Sequence, residues 1–402
     1  MRYVDLGTLP KGKKSNSFGQ KRNPIFKISL IIFLMLTIGY GAFLLFWPTT
    51  TIISKVLRAP MSALSFIRSP EGELKSTDGR TNILLLGIDK RSDVLYTYTD
   101  REGKTHRNGG FLSDTIMIAS IDTTSHDLAL ISVPRDLWVK IPGWDGIGEQ
   151  HEKVNSAYSL GDAYDYPNGF GMGLARDTIS KTLDIPIHYT ARIDFDGFEK
   201  AIDSVGGIDV NVENSFDDWE YPIEGKETVN CPDGTYDCRY EHIHFNTGLQ
   251  HMNGSTALKF ARSRHAIGPE GNDFARAKRQ QKVIFAFREK ALSLGTLSDL
   301  RKVDQMISSL GDTLETDLDV INFPPLNKFS QGLDVSKART LVLDPTVKNG
   351  TLIYNPPMSE YGGAWVIAPI AGNFDEIDAY VKEFLAGSVA GSQATSSASS
   401  ER

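Results

Sequence analysis

The hydrophobic pattern begins with one long run and then breaks into short pieces. Residues 28–47 are apolar almost throughout and carry no charge. About twenty residues of this kind cross ~30 Å of hydrocarbon as a helix. Residues 82–87 form a continuous apolar run closed by Gly87, which predicts a buried strand. Runs at 115–121 and 128–133 predict two more, with polar, turn-like residues between them. Residues 189–195 and 208–212 alternate with a period of two, as half-buried strands do. Helical spacing occurs at 174–183, 198–205, 254–262 and 274–294. The last of these puts Val283, Ile284, Phe287, Ala291 and Leu294 on roughly one stripe. Strand-like pieces at 340–343 and 351–354 precede a helix near 374–385. Strands and helices interleave without an internal repeat. The expected class is α/β, a sandwich with a central mixed sheet covered by helices.

Charge sets the compartment. Arg2, Lys11, Lys13, Lys14, Lys21, Arg22 and Lys27 precede the long run, against the single acid Asp5. The positive-inside bias places that flank in the cytoplasm and the rest outside. No small-x-small cleavage site follows the run, so an uncleaved anchor fits better than a signal peptide. The expected organisation is a cytoplasmic basic segment (1–27), a transmembrane helix (28–47), a connector (48–79) and a main domain (80–295). A C-terminal part (296–385) packs on that domain, and a Ser/Ala/Gly-rich flexible tail (386–402) ends the chain. The chain has 402 residues, 40% of them hydrophobic, enough for one large core. A net charge of −7 argues against general nucleic-acid binding.

The two cysteines, Cys231 and Cys238, bracket a Pro-Asp-Gly turn signal. They read as a disulfide closing a short loop, allowed outside the membrane, or as free thiols. His242 and His244 follow closely, which keeps zinc as an alternative.

Three clusters carry chemistry. Asp89 follows the first strand, and Ser113, Asp114 and Thr115 open the next. Two carboxylates and a hydroxyl at strand ends suit Mg²⁺, although turn and cap roles explain the same residue types. Arg135 and Asp136 follow Pro134 at the end of another strand, as a surface ion pair or as an arginine aimed at phosphate. The third cluster is the richest. Between Phe260 and Gln281 lie Arg262, Arg264, Arg276 and Arg279, with only one lysine, Lys278. Guanidinium forks bind phosphate oxygens in pairs and stay charged when partly buried, whereas a solvated basic face favours lysine. Two arginine pairs flanking the Gly/Pro loop at 268–271 suggest a clamp for a pyrophosphate. No Ser-His-Asp signature, His-Glu-x-x-His helix or Gly-Lys-Ser phosphate loop is present. Catalysis would rest on charge neutralisation and positioning.

The order of these motifs resembles the LytR-CpsA-Psr family. The likeness is carried by Gly87-Ile88-Asp89-Lys90-Arg91, Ser113-Asp114-Thr115, Val133-Pro134-Arg135-Asp136 and Lys153-Val154-Asn155-Ser156-Ala157-Tyr158. It continues through Phe195-Asp196-Gly197-Phe198, Gly206-Gly207-Ile208-Asp209-Val210, Ala261-Arg262-Ser263-Arg264-His265 and the stretch Asp273 to Gln281. The resemblance covers residues ~80–295, and the anchor matches the family's layout. It implies a transferase that moves a glycopolymer from a polyprenyl-pyrophosphate carrier onto a hydroxyl of peptidoglycan. It also implies pyrophosphatase activity in some members, and an older label of cell-envelope-related transcriptional attenuator, which keeps a non-enzymatic regulator as an alternative. Carried over by motif, the metal-associated aspartates are Asp89 and Asp114, for Mg²⁺ or Mn²⁺. The pyrophosphate ligands are Arg91, Arg135, Arg262, Arg264, Arg276 and Arg279, with Gln280 beside them, and Asp273 precedes the long helix. Proton transfer falls to Asp89, Asp114 or Asp273. The family fold also implies an apolar pocket for the prenyl chain, with Phe195, Phe198 and Phe285 as candidate liners. The expected partners are the lipid-linked glycan, peptidoglycan and membrane lipid, with no nucleic acid. Two segments depart from the family pattern: the polar stretch 93–110, read as a flap, and the Cys231/Cys238 insertion with nearby Asp217, Asp218, Trp219 and Glu220. Neither is expected to touch a motif residue.

Overall fold

Strand β1 (Thr81–Ile88) is the run read as buried, and each of its residues is buried or half-buried. It pairs antiparallel with β2 (Ser113–Asp122), which turns back into the antiparallel β3 (Asp127–Ser132). On the other side β4 (Tyr189–Asp194) lies parallel to β1. The edges are β5 (Leu314–Thr316), antiparallel to β4, and β6 (Arg339–Val342), parallel to β3. The order β5-β4-β1-β2-β3-β6 makes a six-stranded mixed sheet. These elements belong to a computed structural model that describes residues 73–89, 97–99, 105–107, 111–226, 228–294, 306–318, 322–334 and 337–389. The expected anchor at 28–47, its basic flank, Arg91 and most of the tail lie outside the described residues. Among the described residues no helix is long and apolar enough to cross a membrane.

Both edge strands come from beyond residue 295. The segment 296–385, expected to pack on the domain, therefore supplies part of the sheet itself. A three-residue and a four-residue strand are too short to announce that role in a periodic pattern.

The helices are α1 (Ser156–Ala163), α2 (Phe170–Thr182), α3 (Phe195–Ser204), α4 (Gly254–Arg262), α5 (Asp273–Ser293), α6 (Phe323–Gly332) and α7 (Asp375–Leu385). Alternation along β1 sends Leu84, Leu86 and Ile88 to one face and Ile83 to the other. The first face is covered by α1, α2 and α7 through residues such as Leu160, Leu174, Ile179 and Phe384. The second meets α5 and α6 through Phe285 and Phe329. Each fully buried Leu or Ile contributes roughly 1.5–3 kcal/mol, so both layers hold the sheet firmly.

A third core lies beside the sheet. The alternating strand Ile208–Val212 pairs with Gly248–Met252, away from the central sheet. A hairpin of Phe216–Pro222 and Tyr240–Phe245 joins it, and both pack on Phe260 of α4 and Val283 of α5. Cys231 and Cys238 close the loop of that hairpin as a disulfide with Cα atoms 5.7 Å apart. This overturns the zinc alternative, since bonded sulfurs are not zinc ligands. His242 and His244 instead both meet Asp217 Oδ1, at 2.7 and 2.8 Å. Within the polar stretch read as a flap, Thr97–Thr99 and Thr105–Arg107 pair as two short antiparallel strands.

Candidate functional site

The site forms where β1 ends and β2 begins. Gly87 pairs with Thr115 and Ile88 with Ser113, so the register slips and Asp114 becomes the extra, bulged residue. A Cβ on Gly87 would lie 2.8 Å from Thr115 Cβ, so only glycine permits this approach. Asp89 follows β1 directly, and its amide donates to Leu112 O at 3.4 Å. Asp89 and Asp114 thus occupy the same end of the sheet. The end of β3 delivers Arg135 to it. Asn155 ties the pieces together: its amide donates to Arg135 O at 3.2 Å, and its carbonyl accepts from Ser113 N and Oγ, both at 3.3 Å. Three motifs distant in sequence are joined by one backbone residue.

Helix α5 completes the site. Asn272 caps it, accepting from Phe274 N at 3.0 Å and Ala275 N at 2.8 Å, and Asp273 favours the positive end of the helix dipole. Gln281 pins the same helix to the sheet by donating to Ser132 Oγ at 2.9 Å. Asp273 and Arg276 stand three residues apart and share a face, with Nη1 to Oδ1 at 3.1 Å. Arg135 reaches across to Asp114 at 2.9 Å and to Asp273 at 3.3 Å. Arg276 Nη2 donates to Asp114 O at 3.2 Å. Asp136 holds Arg135 from behind at 3.4 Å and is itself paired with Lys153, which sequence reasoning left without a role.

Together with Trp365, the side chains of Asp114, Arg135, Asp273, Arg276 and Gln280 line a pit of about 30 Å³. That is room for about one or two waters. Asp114 and Asp273 keep 26% and 24% of their side-chain surface open, so a ligand can still reach them. Burial alone would raise the Asp114 pKa. The charges of Arg135, Arg276 and Arg264 outweigh it and hold the carboxyl well below the usual range. Asp273 is also depressed, against its own burial, by Arg276, Arg135 and Arg264. Arg276 shows the reverse strain. Burial lowers its pKa, and the neighbouring Arg135 and Arg264 add like-charge repulsion. Its Nε and the Oδ1 of Asp273 are buried without a hydrogen-bond partner. The 3.1 Å ion-pair contact to that oxygen comes from Arg276 Nη1 and lacks hydrogen-bond alignment. Unsatisfied buried groups of this kind cost stability and mark a place where a ligand can complete the network.

The expected phosphate ligands divide. Arg135, Arg276 and Gln280 line the pit, and the exposed Arg264 acts on Asp114 and Asp273 through its charge. Arg279 is placed differently. Its Nε donates to Phe260 O at 2.9 Å, its Nη1 to Glu270 O at 3.0 Å and Oε2 at 2.6 Å, and its Nη2 to Ser263 O. The three nitrogens tie α4 to the loop that leads into α5, so Arg279 is a strut. Arg262 lies with its guanidinium 3.8 Å over the Phe195 ring and donates to Tyr221 OH at 3.2 Å. Spacing alone does not separate these roles, because the carbonyls that claim a guanidinium come from distant turns.

One expectation is corrected outright. The segment beside the disulfide insertion does touch a motif residue. Asp218, 1% exposed, accepts at Oδ2 from Ser263 Oγ (2.7 Å), Arg264 N (3.3 Å) and His265 N (3.2 Å). It therefore fixes the backbone that presents Arg264. Its only signal in the sequence was an acid pair in an otherwise exposed-looking run.

A mixed sheet flanked by helices, with acids and arginines gathered at one strand end, defines an α/β protein with a charged cluster where such sheets place their sites. Residues 59–362 match the LytR_cpsA_psr family, and the chain belongs to it. It is 27% identical over 304 residues to the polyisoprenyl-teichoic acid–peptidoglycan teichoic acid transferase TagV of Bacillus subtilis, covering 76% of this chain and 64% of that protein. It is 30% identical over 311 residues to the TagU transferase of the same name from Enterococcus faecalis, covering 77% of this chain and 81% of the relative. The crystal structure of B. subtilis TagV superimposes with a TM-score of 0.51 at 25% identity, over 77% of this chain and 99% of that one.

Proposed function

We propose that this chain is a phosphotransferase that moves a glycopolymer from a polyprenyl-pyrophosphate carrier onto peptidoglycan. The observation that carries the reading is the crowded, incompletely bonded Arg276, with Arg135 and Arg264 beside it and Asp114 and Asp273 between them. A diphosphate supplies the acceptors and the negative charge that this cluster lacks. Family membership and the names of the two relatives support the same reaction.

In this reading the acceptor hydroxyl oxygen forms a bond to the phosphorus next to the sugar. The bridging bond to the second phosphate breaks, and polyprenyl phosphate leaves. Arg135, Arg264 and Arg276 neutralise the charge that grows on it. Guanidinium groups lower the basicity of Asp114 and Asp273. The hydroxyl proton passes to one of the carboxylates gathered here, Asp89, Asp114 or Asp273.

Asp89 and Asp114 are the small donor set that Mg²⁺ (or Mn²⁺) takes beside phosphate oxygens and waters. Among the described residues no group of three or more His, Cys, Asp or Glu could hold a metal ion, so the substrate would complete the shell. Such an ion, when bound, supplies further charge neutralisation at the diphosphate. The prenyl chain is assigned to the second face of the sheet. Of the three expected liners only Phe285 packs in that layer; Phe198 packs in the third core and Phe195 beneath Arg262. With the anchor at 28–47, the protein sits in the cell membrane as a single-pass protein, N-terminus in the cytoplasm and this domain outside, where the carrier and peptidoglycan meet.

The test is a transfer assay with labelled lipid-linked glycan and peptidoglycan, with and without Mg²⁺. The expected result is metal-dependent label on peptidoglycan. Free phosphorylated glycan with no label transferred would make the protein a pyrophosphatase, and no product at all would return it to a regulatory role.

A further inference from the structure

The hairpin that carries Asp218 has an irregularity at an informative place. Asp218 pairs with Ile243 and Tyr221 with Glu241, so Trp219 and Glu220 together oppose the single residue His242. This is a β-bulge, a device that re-aims side chains and is common next to active sites. It turns Trp219 outward: the residue is 60% exposed, unusual for so large an apolar ring. One face of the indole stacks on His242, with ring centroids 3.6 Å apart and planes 9° apart. The exposure belongs to the opposite face. Neither ring is free to collapse onto the surface, because His242 Nε2 is held by Asp217 at 2.7 Å.

The platform is wired to the arginine loop. Asp218 Oδ1 accepts from Glu220 N at 2.9 Å, inside the bulge, while its Oδ2 accepts from Ser263, Arg264 and His265. Glu220 Oε2 also meets His265 Nδ1 at 3.1 Å. One buried carboxylate thus fixes the aromatic ring and Arg264 relative to each other.

A rigid, open aromatic face edged by carboxylates and imidazoles is the arrangement that binds a sugar ring: the ring's C–H face packs on the indole, and its hydroxyls meet the polar edge. The charge of the lobe selects among sugars. Residues 213–241 hold nine carboxylates against Lys226 and Arg239, so a phosphate-rich polymer is repelled and an uncharged chain is admitted. We infer that the Trp219–His242 stack, edged by Asp217 and Glu220, is a subsite for an uncharged β-linked N-acetylhexosamine segment of the acceptor glycan strand. It rests on the transferase reading for its purpose, but not for its binding chemistry. The subsite lays the acceptor beside the loop that presents Arg264.

The probe is chitotetraose, four β-1,4-linked N-acetylglucosamines, titrated into the full-length protein in detergent and followed by calorimetry. Poly(glycerol phosphate) serves as the anionic comparison. Binding of chitotetraose by the wild type is expected, with an affinity loss of about tenfold in Trp219→Ala and threefold or less in Trp219→Phe, which keeps an aromatic face. Poly(glycerol phosphate) should not displace the sugar. Trp219 is exposed, so the alanine variant should fold, and an unchanged melting temperature confirms it. Equal affinity in Trp219→Ala and wild type, no binding to either, or displacement by the polyanion overturns the inference. Binding through Trp219 in a protein that transfers nothing would uphold the subsite and remove the transferase reading.

Discussion

Arg276 and Arg279 stand on the same helix less than a turn apart, both almost buried, at 7% and 2% exposure. Their surroundings are opposite. Arg279 has every guanidinium nitrogen matched to a carbonyl or to Glu270, and aromatic rings of Phe216 and Phe260 cover it. Arg276 shares its space with Arg135 and Arg264 and has a buried Nε without an acceptor. Saturation distinguishes structure from function here. A guanidinium with four of its five N–H donors engaged can hold a loop but has little left for a ligand. One that is crowded and under-bonded is poised to bind an anion.

The contrast can be broken most severely at the saturated residue. Arg279→Ala leaves Glu270, Phe260 O and Ser263 O without their partner in a buried place. It is expected to cost about 3–5 kcal/mol of stability, measured by denaturant unfolding. A loss under about 1 kcal/mol would show that the strut is dispensable. A smaller effect sharpens the link between the regions. Asp218→Asn puts an amide where one carboxylate oxygen meets three donors, so the presentation of Arg264 should loosen. Turnover is expected to fall about tenfold, with apparent donor affinity falling alongside it. An exposed acid away from both regions serves as the control: Asp312→Asn should leave turnover within about twofold, since surface changes away from such networks are small in effect. Equal losses in the two variants would remove the positioning role of Asp218.

Much of the scaffold was legible because its elements bury a regular face. The runs at 82–87, 115–121 and 128–133 became β1, β2 and β3, and the pattern at 254–262 became α4 with the same limits. Elements that do not announce a face were missed. Strand Phe216–Pro222 reads as an acidic run because its bulge turns Trp219 and Glu220 outward. Helix α6 begins Phe323-Pro324-Pro325, which resembles a loop, yet proline is tolerated in a first turn where amide donors have no partner within the helix. The edge strands β5 and β6 are too short to show a period. At the site, the residue types and their gathering at one strand end were readable from motifs. The division of the arginines was not. Whether Arg262, Arg276 or Arg279 faces a ligand depends on Tyr221, Asp114 or Glu270, which only the folded chain brings near. Asp218 escaped notice for the same reason, since it acts through three backbone and hydroxyl donors on a distant loop.

Arg276, unlike its neighbour, is proposed to bind the diphosphate. The most direct measurement is turnover of lipid-linked glycan by Arg276→Ala alongside its unfolding free energy. Turnover is expected to fall about a hundredfold or more, as for a removed transition-state charge contact. The stability change is expected to stay under about 2 kcal/mol, because burial and the charges of Arg135 and Arg264 offset the attraction of Arg276 to Asp273 and Asp114. Normal turnover in a folded Arg276→Ala protein would contradict that binding role.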